Sequence, residues 1–266
     1  MSLALIAGRG DLPALVAEAQ SVAPVVCAYE GALPTGLAAD LVFRLETLGS
    51  LLVALGERGV TEVCFAGGLD RPVIDPVKLD AETAPLVPLF EDALSKGDDG
   101  ALRVVVDLFE KTGFTVRAAH DLAPDLLAQA GVYGEAWPDS KMRKDARSGA
   151  EHIAQMGPRD IGQACIVAAG KIIGMEDAAG TDALIARVAR AAKGASALLF
   201  KGPKPNQTRL ADLPTIGPDT IEAAGQAGLK AVVIDAGDVL VLNKSRCVAL
   251  ANHYNLVLWA RTGGDT

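Results

Sequence analysis

Glycine closes one short apolar run after another in the first half of the chain, and that rhythm restricts the fold more than any single motif. Leu3–Ala7 is an apolar run of strand length, followed by Gly8-Arg9-Gly10 and a helix-like stretch over 12–20. Val25–Tyr29 and 41–45 read as further strands, Leu48–Glu57 as a helix, and 63–66 as a strand ending at Gly67-Gly68. Val104, Val105, Leu108 and Phe109 fall at helix spacing within 101–112, and Gly113 supplies a stop. A strand over 115–118 and a helix over 121–130 complete the series. Alternating strands and helices joined by short turns predict an α/β fold with a parallel, Rossmann-like sheet.

The pattern breaks over 131–158, where Tyr133, Gly134, Trp137, Pro138 and a charged run at 141–147 interrupt it. It restarts with two apolar runs around Gly170-Lys171, a hairpin signature. A helix over 181–193, a strand at Leu198–Lys201 and a helix over 218–227 follow, with Pro218 where a missing N–H is harmless. Strands at 231–234, 239–242 and 256–259 surround a helix over 245–254. The expectation is therefore an N-terminal Rossmann-like domain at 1–134, a linker with one helix at 135–158, and a mixed-sheet α/β catalytic domain at 159–266.

Aromatic residues make up only 4% of the chain, so its core must come from Ala, Val, Leu and Ile. The net charge of -8 lacks the basic footprint of nucleic-acid binding and of polybasic membrane anchoring. Cys27, Cys64, Cys165 and Cys247 form no C-x-x-C pair and read as buried thiols in a reducing compartment. No run approaches the roughly 18 apolar residues of a membrane span. The N-terminal apolar run is too short for a signal peptide, so a cytoplasmic location is expected, with peripheral contact at the inner membrane left open.

Candidate chemistry gathers at element ends. Gly8-Arg9-Gly10-Asp11 lies between a strand and a helix, where backbone N–H groups and a helix start suit a phosphate. A dinucleotide fingerprint would need glycine where Pro13 stands, although Glu30 could serve as its ribose-binding acid. Gly67-Gly68-Leu69-Asp70-Arg71 follows another strand. Asp98 and Asp99 open a helix, as caps or as metal ligands. The second half collects Glu176, Asp177, Thr181, Asp182, Lys201, Lys204, Gln207, Arg209, Asp212, Thr215 and Gly217. Diphosphate hydrolysis needs these kinds of group: cations for phosphate charge, and carboxylates for a hard divalent ion and for the attacking water. A Walker loop, a G-x-S-x-G elbow and paired metal-spaced histidines are absent from the sequence. An NAD-dependent oxidoreductase and a non-catalytic nucleotide- or lipid-binding module remain the alternatives at this level.

Six segments stand out: LIAGRGDLP at 5–13, FAGGLDRP at 65–72, GDDGALR at 97–103, DIGQA at 160–164, GMEDAAGTDALIAR at 174–187 and KPNQTRLADLPTIGPDTI at 204–221. Through them the chain resembles the UDP-2,3-diacylglucosamine pyrophosphatase family of the LpxI type. The resemblance implies hydrolysis of UDP-2,3-diacylglucosamine to UMP and 2,3-diacylglucosamine 1-phosphate (lipid X) within lipid A biosynthesis. It also implies dependence on Mg²⁺ or Mn²⁺, an active site in the cleft between the two domains, and a homodimer. Through it the family's acidic residue falls on Asp212, with Asp219 in the same segment second; Lys201, at its strand end, is the third catalytic candidate, and Thr208 stands where family members often carry Asp. Expected substrate contacts are Gly8, Arg9, Gly10, Asp11, Gly67, Gly68, Arg71, Thr181, Lys204, Gln207, Arg209, Thr215 and Gly217. The expected metal ligands are Asp98, Asp99, Glu176, Asp182 and Asp212. Leu86, Val87, Leu89 and Phe90 are candidates for an acyl groove, with core packing as the alternative.

Overall fold

The computed structural model describes residues 2–69, 74–94, 97–156, 162–192, 194–205 and 207–263, with the backbone alone at 91–94, 98, 156 and 191. Two compact units emerge: Met1–Pro124 with Thr208–Asp212, and Asp125–Gln207 with Leu213–Thr266.

The first unit runs β1 (Leu3–Ala7), α1 (Leu12–Glu18), β2 (Val25–Tyr29), β3 (Leu41–Phe43), α2 (Leu48–Glu57), β4 (Glu62–Ala66), α3 (Val87–Leu94), α4 (Asp98–Lys111), β5 (Thr115–Arg117) and α5 (Ala119–Leu122). Its five strands are all parallel, in the order β3-β2-β1-β4-β5. Ala4 to Ala7 are all buried, as a central strand covered on both faces requires. Ile6, Leu55, Val63, Phe109 and Val116 form the core, with few rings and many aliphatics. Phe90 is buried there, and Leu86 and Leu89 pack against it. These three acyl-groove candidates therefore belong to the core.

The helix expected over 121–130 is cut to four residues. Pro124 disfavours the helical conformation at Ala123, which takes φ −135° instead. Beyond it the chain already belongs to the second unit, so the boundary lies at 124/125 and not at 134.

The second unit holds β6 (Gly131–Tyr133), α6 (Ser140–Met156), β7 (Ala164–Ala168), β8 (Lys171–Met175), α7 (Gly180–Ala192), β9 (Leu198–Lys201), β10 (Thr215–Ile216), α8 (Pro218–Gln226), β11 (Ala231–Asp235), β12 (Leu240–Val241), α9 (Lys244–His253) and β13 (Val257–Arg261). Its main sheet has the order β6-β13-β11-β9-β7-β8. The central trio is parallel, while β6, β7 and β8 pair antiparallel, which makes the mixed sheet expected. The β7–β8 hairpin turns at Ala169 and Gly170, with φ of 51° and 76°. Strands β10 and β12 form a separate parallel pair.

Helix α6 is no linker. Ala146 and Ile153 pack on Cys165, Phe200, Val233 and Trp259, while Lys141, Lys144 and Arg147 face solvent. The charged run at 141–147 is thus the outer face of an amphipathic helix. Gly149 permits that packing: a Cβ there would lie 2.7 Å from the Phe200 Cβ. Helices α7, α8 and α9 cover the other face over Ile166, Leu199 and Ile234. Among the described residues, no helix is long and apolar enough to cross a membrane. All four cysteines are buried and unbridged.

Candidate functional site

In the first unit, β2 and β3 lie on one side of β1, and β4 and β5 on the other. The carboxyl ends of β1 and β4 therefore flank the topological switch point, where open α/β sheets bind ligands. Gly8-Arg9-Gly10 and Gly67-Gly68 meet there. The Gly8 N–H donates to the Ala66 carbonyl at 2.8 Å, and Arg9 and Gly68 exchange two backbone hydrogen bonds of 2.9 Å. Contact is close enough to demand glycine: a Cβ on Gly8 would lie 2.5 Å from the Gly68 oxygen, and one on Gly67 2.6 Å from the Gly8 oxygen. Sequence reasoning placed these N–H groups against a phosphate. Three of them instead lock one loop to the other. Asp11 is the N-cap of α1, whose side chain makes no capping bond. Glu30 pairs with Arg44 at 3.6 Å, and Pro13 is buried in the first turn of α1. Arg71 lies outside the described residues.

The strap Thr208–Asp212 belongs to this same unit. Leu210 and Ala211 pack against its core, and the Asp212 N–H donates to the Thr208 carbonyl at 3.3 Å. Asp99, in the first turn of α4, accepts the Thr208 N–H at 2.8 Å on Oδ1 and the Arg103 Nε–H at 2.9 Å on Oδ2. The side chain of Asp98 lies outside the described residues. Arg209 is exposed.

In the second unit, the ends of β8, α7 and β9 converge on a buried polar node. Lys201 Nζ donates to Thr181 Oγ1 at 2.8 Å, and that hydroxyl donates in turn to Glu176 Oε1. The ammonium stands 3.9 Å from the same carboxylate oxygen, with both side chains under 10% exposed. Burial at this level is favourable only when the charge is paired and hydrogen-bonded. Glu176 Oε2 accepts the Gln163 N–H at 2.7 Å. The node then extends outward: Gln207 Nε2 donates to Gln163 Oε1 at 3.0 Å, and the Lys204 N–H donates to Gln207 Oε1 at 2.9 Å. Lys201, Thr181, Glu176, Gln207 and the Lys204 backbone are thus linked to one another through a residue that sequence reasoning passed over, Gln163. Its place in the DIGQA segment was the available signal.

Phe200 and Lys201 point to opposite faces of the sheet by strand alternation. On the Phe200 side a cleft of about 530 Å³ opens, lined among others by Arg147, Lys204, Asp235 and Arg261. Asp235 and Arg261 are cross-strand partners, 2.8 Å apart between Oδ1 and Nε. Burial holds the Asp235 carboxyl above its ordinary range, against the pull of the Arg261 charge. This pair was also missed. Asp182 and Asp219 are exposed in the first turns of α7 and α8, where negative charge suits the helix dipole. Thr215 Oγ1 donates to the Leu213 carbonyl at 3.1 Å, and Gly217 is the N-cap of α8.

The expected metal ligands are shared between the units, Asp98, Asp99 and Asp212 in the first and Glu176 and Asp182 in the second. Glu176 and Asp99 each have both carboxylate oxygens engaged by donors of the chain itself, and Asp182 stands at the surface. Among the described residues, no three His, Cys, Asp or Glu side chains gather as a protein-held ion requires.

Residues 2–126 match the model of the LpxI N-terminal domain, and residues 129–259 that of the LpxI C-terminal domain. A Caulobacter vibrioides protein named UDP-2,3-diacylglucosamine pyrophosphatase LpxI is 35% identical over 268 residues, covering 96% of this chain and 95% of that one. The chain belongs to the LpxI family. The LpxI domain junction, between 126 and 129, falls close to the 124/125 division of the fold, and both LpxI domains are α/β. LpxI membership sets aside the oxidoreductase alternative raised by Gly8, Gly10 and Glu30.

Proposed function

We propose that this chain hydrolyses the diphosphate of UDP-2,3-diacylglucosamine, releasing UMP and 2,3-diacylglucosamine 1-phosphate in lipid A biosynthesis. End-to-end similarity to the Caulobacter pyrophosphatase carries this reading. Water attacks one phosphorus, a P–O bond of the anhydride breaks, and the departing phosphate leaves as an anion. Asp212 is the carboxylate assigned to orienting or deprotonating that water. The switch point beside Gly8 and Gly67 suits a nucleotide, because ligands of such sheets gather there. Lys201 has internal partners in Thr181 and Glu176, which assigns it to holding the ends of β8, α7 and β9 together.

The requirement for Mg²⁺ or Mn²⁺ is kept as part of this reading. Mg²⁺ is commonly held by one or two carboxylates together with substrate phosphates, which needs no cluster in the free protein. Such an ion supplies neutralisation of phosphate charge. A homodimer and peripheral contact with the inner membrane complete the proposal.

The test is release of UMP from UDP-2,3-diacylglucosamine by purified protein, with and without a chelator. Expected are turnover in wild type, loss with the chelator, restoration by Mn²⁺, and a fall of at least about 100-fold in kcat for Asp212→Ala. No UMP from the wild-type protein, or near wild-type kcat in Asp212→Ala, overturns it. Light scattering on the same preparation reads the dimer, and vesicle co-sedimentation the membrane contact.

A further inference from the structure

The chain changes units between two adjacent residues, and each is fixed by a hydrogen bond on its own side. Gln207, the last residue of its stretch of the second unit, is held by Gln163 and by the Lys204 N–H. Thr208, the first residue of the strap, is held by Asp99 across 109 positions of sequence. The strap is then closed by the Asp212-to-Thr208 backbone bond and pinned by Leu210 and Ala211. An acid in a helix's first turn ordinarily serves that helix. Asp99 reaches away instead, and Arg103 one turn on holds its second oxygen.

We infer that Asp99 is a positioning residue: its carboxylate fixes the Thr208 N–H and thereby sets the placement of Asp212 on the strap. Gln163 and Gln207 provide the matching anchor on the preceding residues. The inference rests on the reading of Asp212 given above. It gives Asp99 a role through hydrogen-bond acceptance, whereas metal ligation would use its charge. An asparagine oxygen can accept the same N–H, so the two roles separate by substitution.

The experiment compares Asp99→Asn and Asp99→Ala with wild type in two readouts. One is kcat and KM for UMP release; the other is amide hydrogen exchange in peptides spanning 203–212. Asp99→Asn is expected to stay within about threefold of wild type in both, because the acceptor of the Thr208 N–H is retained and only the bond to the half-exposed Arg103 is lost. Asp99→Ala is expected to lose at least about tenfold in kcat with little change in KM, and to speed exchange at Thr208, since small misplacements of a reacting group are costly. A folded Asp99→Asn with less than about a tenth of wild-type kcat overturns the inference, and decides alone should Asp99→Ala fail to fold. Unchanged exchange or unchanged kcat in a folded Asp99→Ala overturns it equally. Failure of the wild-type protein to release UMP would refute the assigned reaction; the exchange readout judges the anchor regardless.

Discussion

Lys201 and Glu176 face each other at 3.9 Å inside the second unit, with the Thr181 hydroxyl accepting from the first and donating to the second. Both side chains are more than 90% buried. Such a pair is a poor source of net stability, yet removing one member leaves an uncompensated charge. Lys201→Met and Glu176→Leu are therefore each expected to destabilise by about 3–5 kcal/mol. The double substitution should recover a large part of that loss. Chemical unfolding of the three variants checks it, and strict additivity would show that the two groups do not act as a pair.

The interlocked glycine loops predict a graded series. Gly67→Ala meets the Gly8 oxygen at 2.6 Å and carries φ +94°, so it is expected to lose at least about 2 kcal/mol. Gly10→Ala has open space but φ +92°, and should lose about 1 kcal/mol from backbone strain. Gly68→Ala has neither problem and should keep wild-type stability. Thermal unfolding orders the three. A weakened affinity for UMP in Gly68→Ala at unchanged stability would report a ligand at the switch point.

Burial pushes the thiols of Cys27, Cys64 and Cys165 up to about 12, and that of Cys247 to about 11, from an ordinary 9.0. The folded thiols stay protonated at pH values where unfolded ones ionise. Their contribution is thus complete below pH 9 and lost as pH rises toward 12. Each unit of difference corresponds to about 1.4 kcal/mol. Urea midpoints should fall between pH 8 and pH 10.5, and fall less steeply in Cys64→Ala. In the native state at pH 8 no thiol should react with a thiol-specific reagent within minutes; on unfolding all four should.

Much of the architecture was legible because strands and helices of an α/β fold announce themselves by apolar runs and glycine turns. β1, β2, α2 and β9 begin and end where the residue pattern placed them. Errors arose where one residue class has two uses. Lys141, Lys144 and Arg147 looked like linker and are the wet face of α6. The 121–130 stretch looked helical until Pro124 is weighed against Ala123. Periodicity is likewise silent about partners. Residue type at element ends put Asp99 and Glu176 among acids fit for an ion, but did not reveal the Thr208 amide or the Gln163 amide that engages each of them. Contacts between residues remote in sequence decide such roles, and local pattern does not encode them.

Five residues from late in the chain, Thr208–Asp212, complete the layer built from the first 124. Leu210 and Ala211 pack against the core of that unit. A gene fragment ending at Pro124 would encode an unfinished half. The two halves are accordingly poor material for domain shuffling: recombination at the 124/125 junction would separate a fold from a piece of itself, and with it the aspartate on which hydrolysis is proposed to depend.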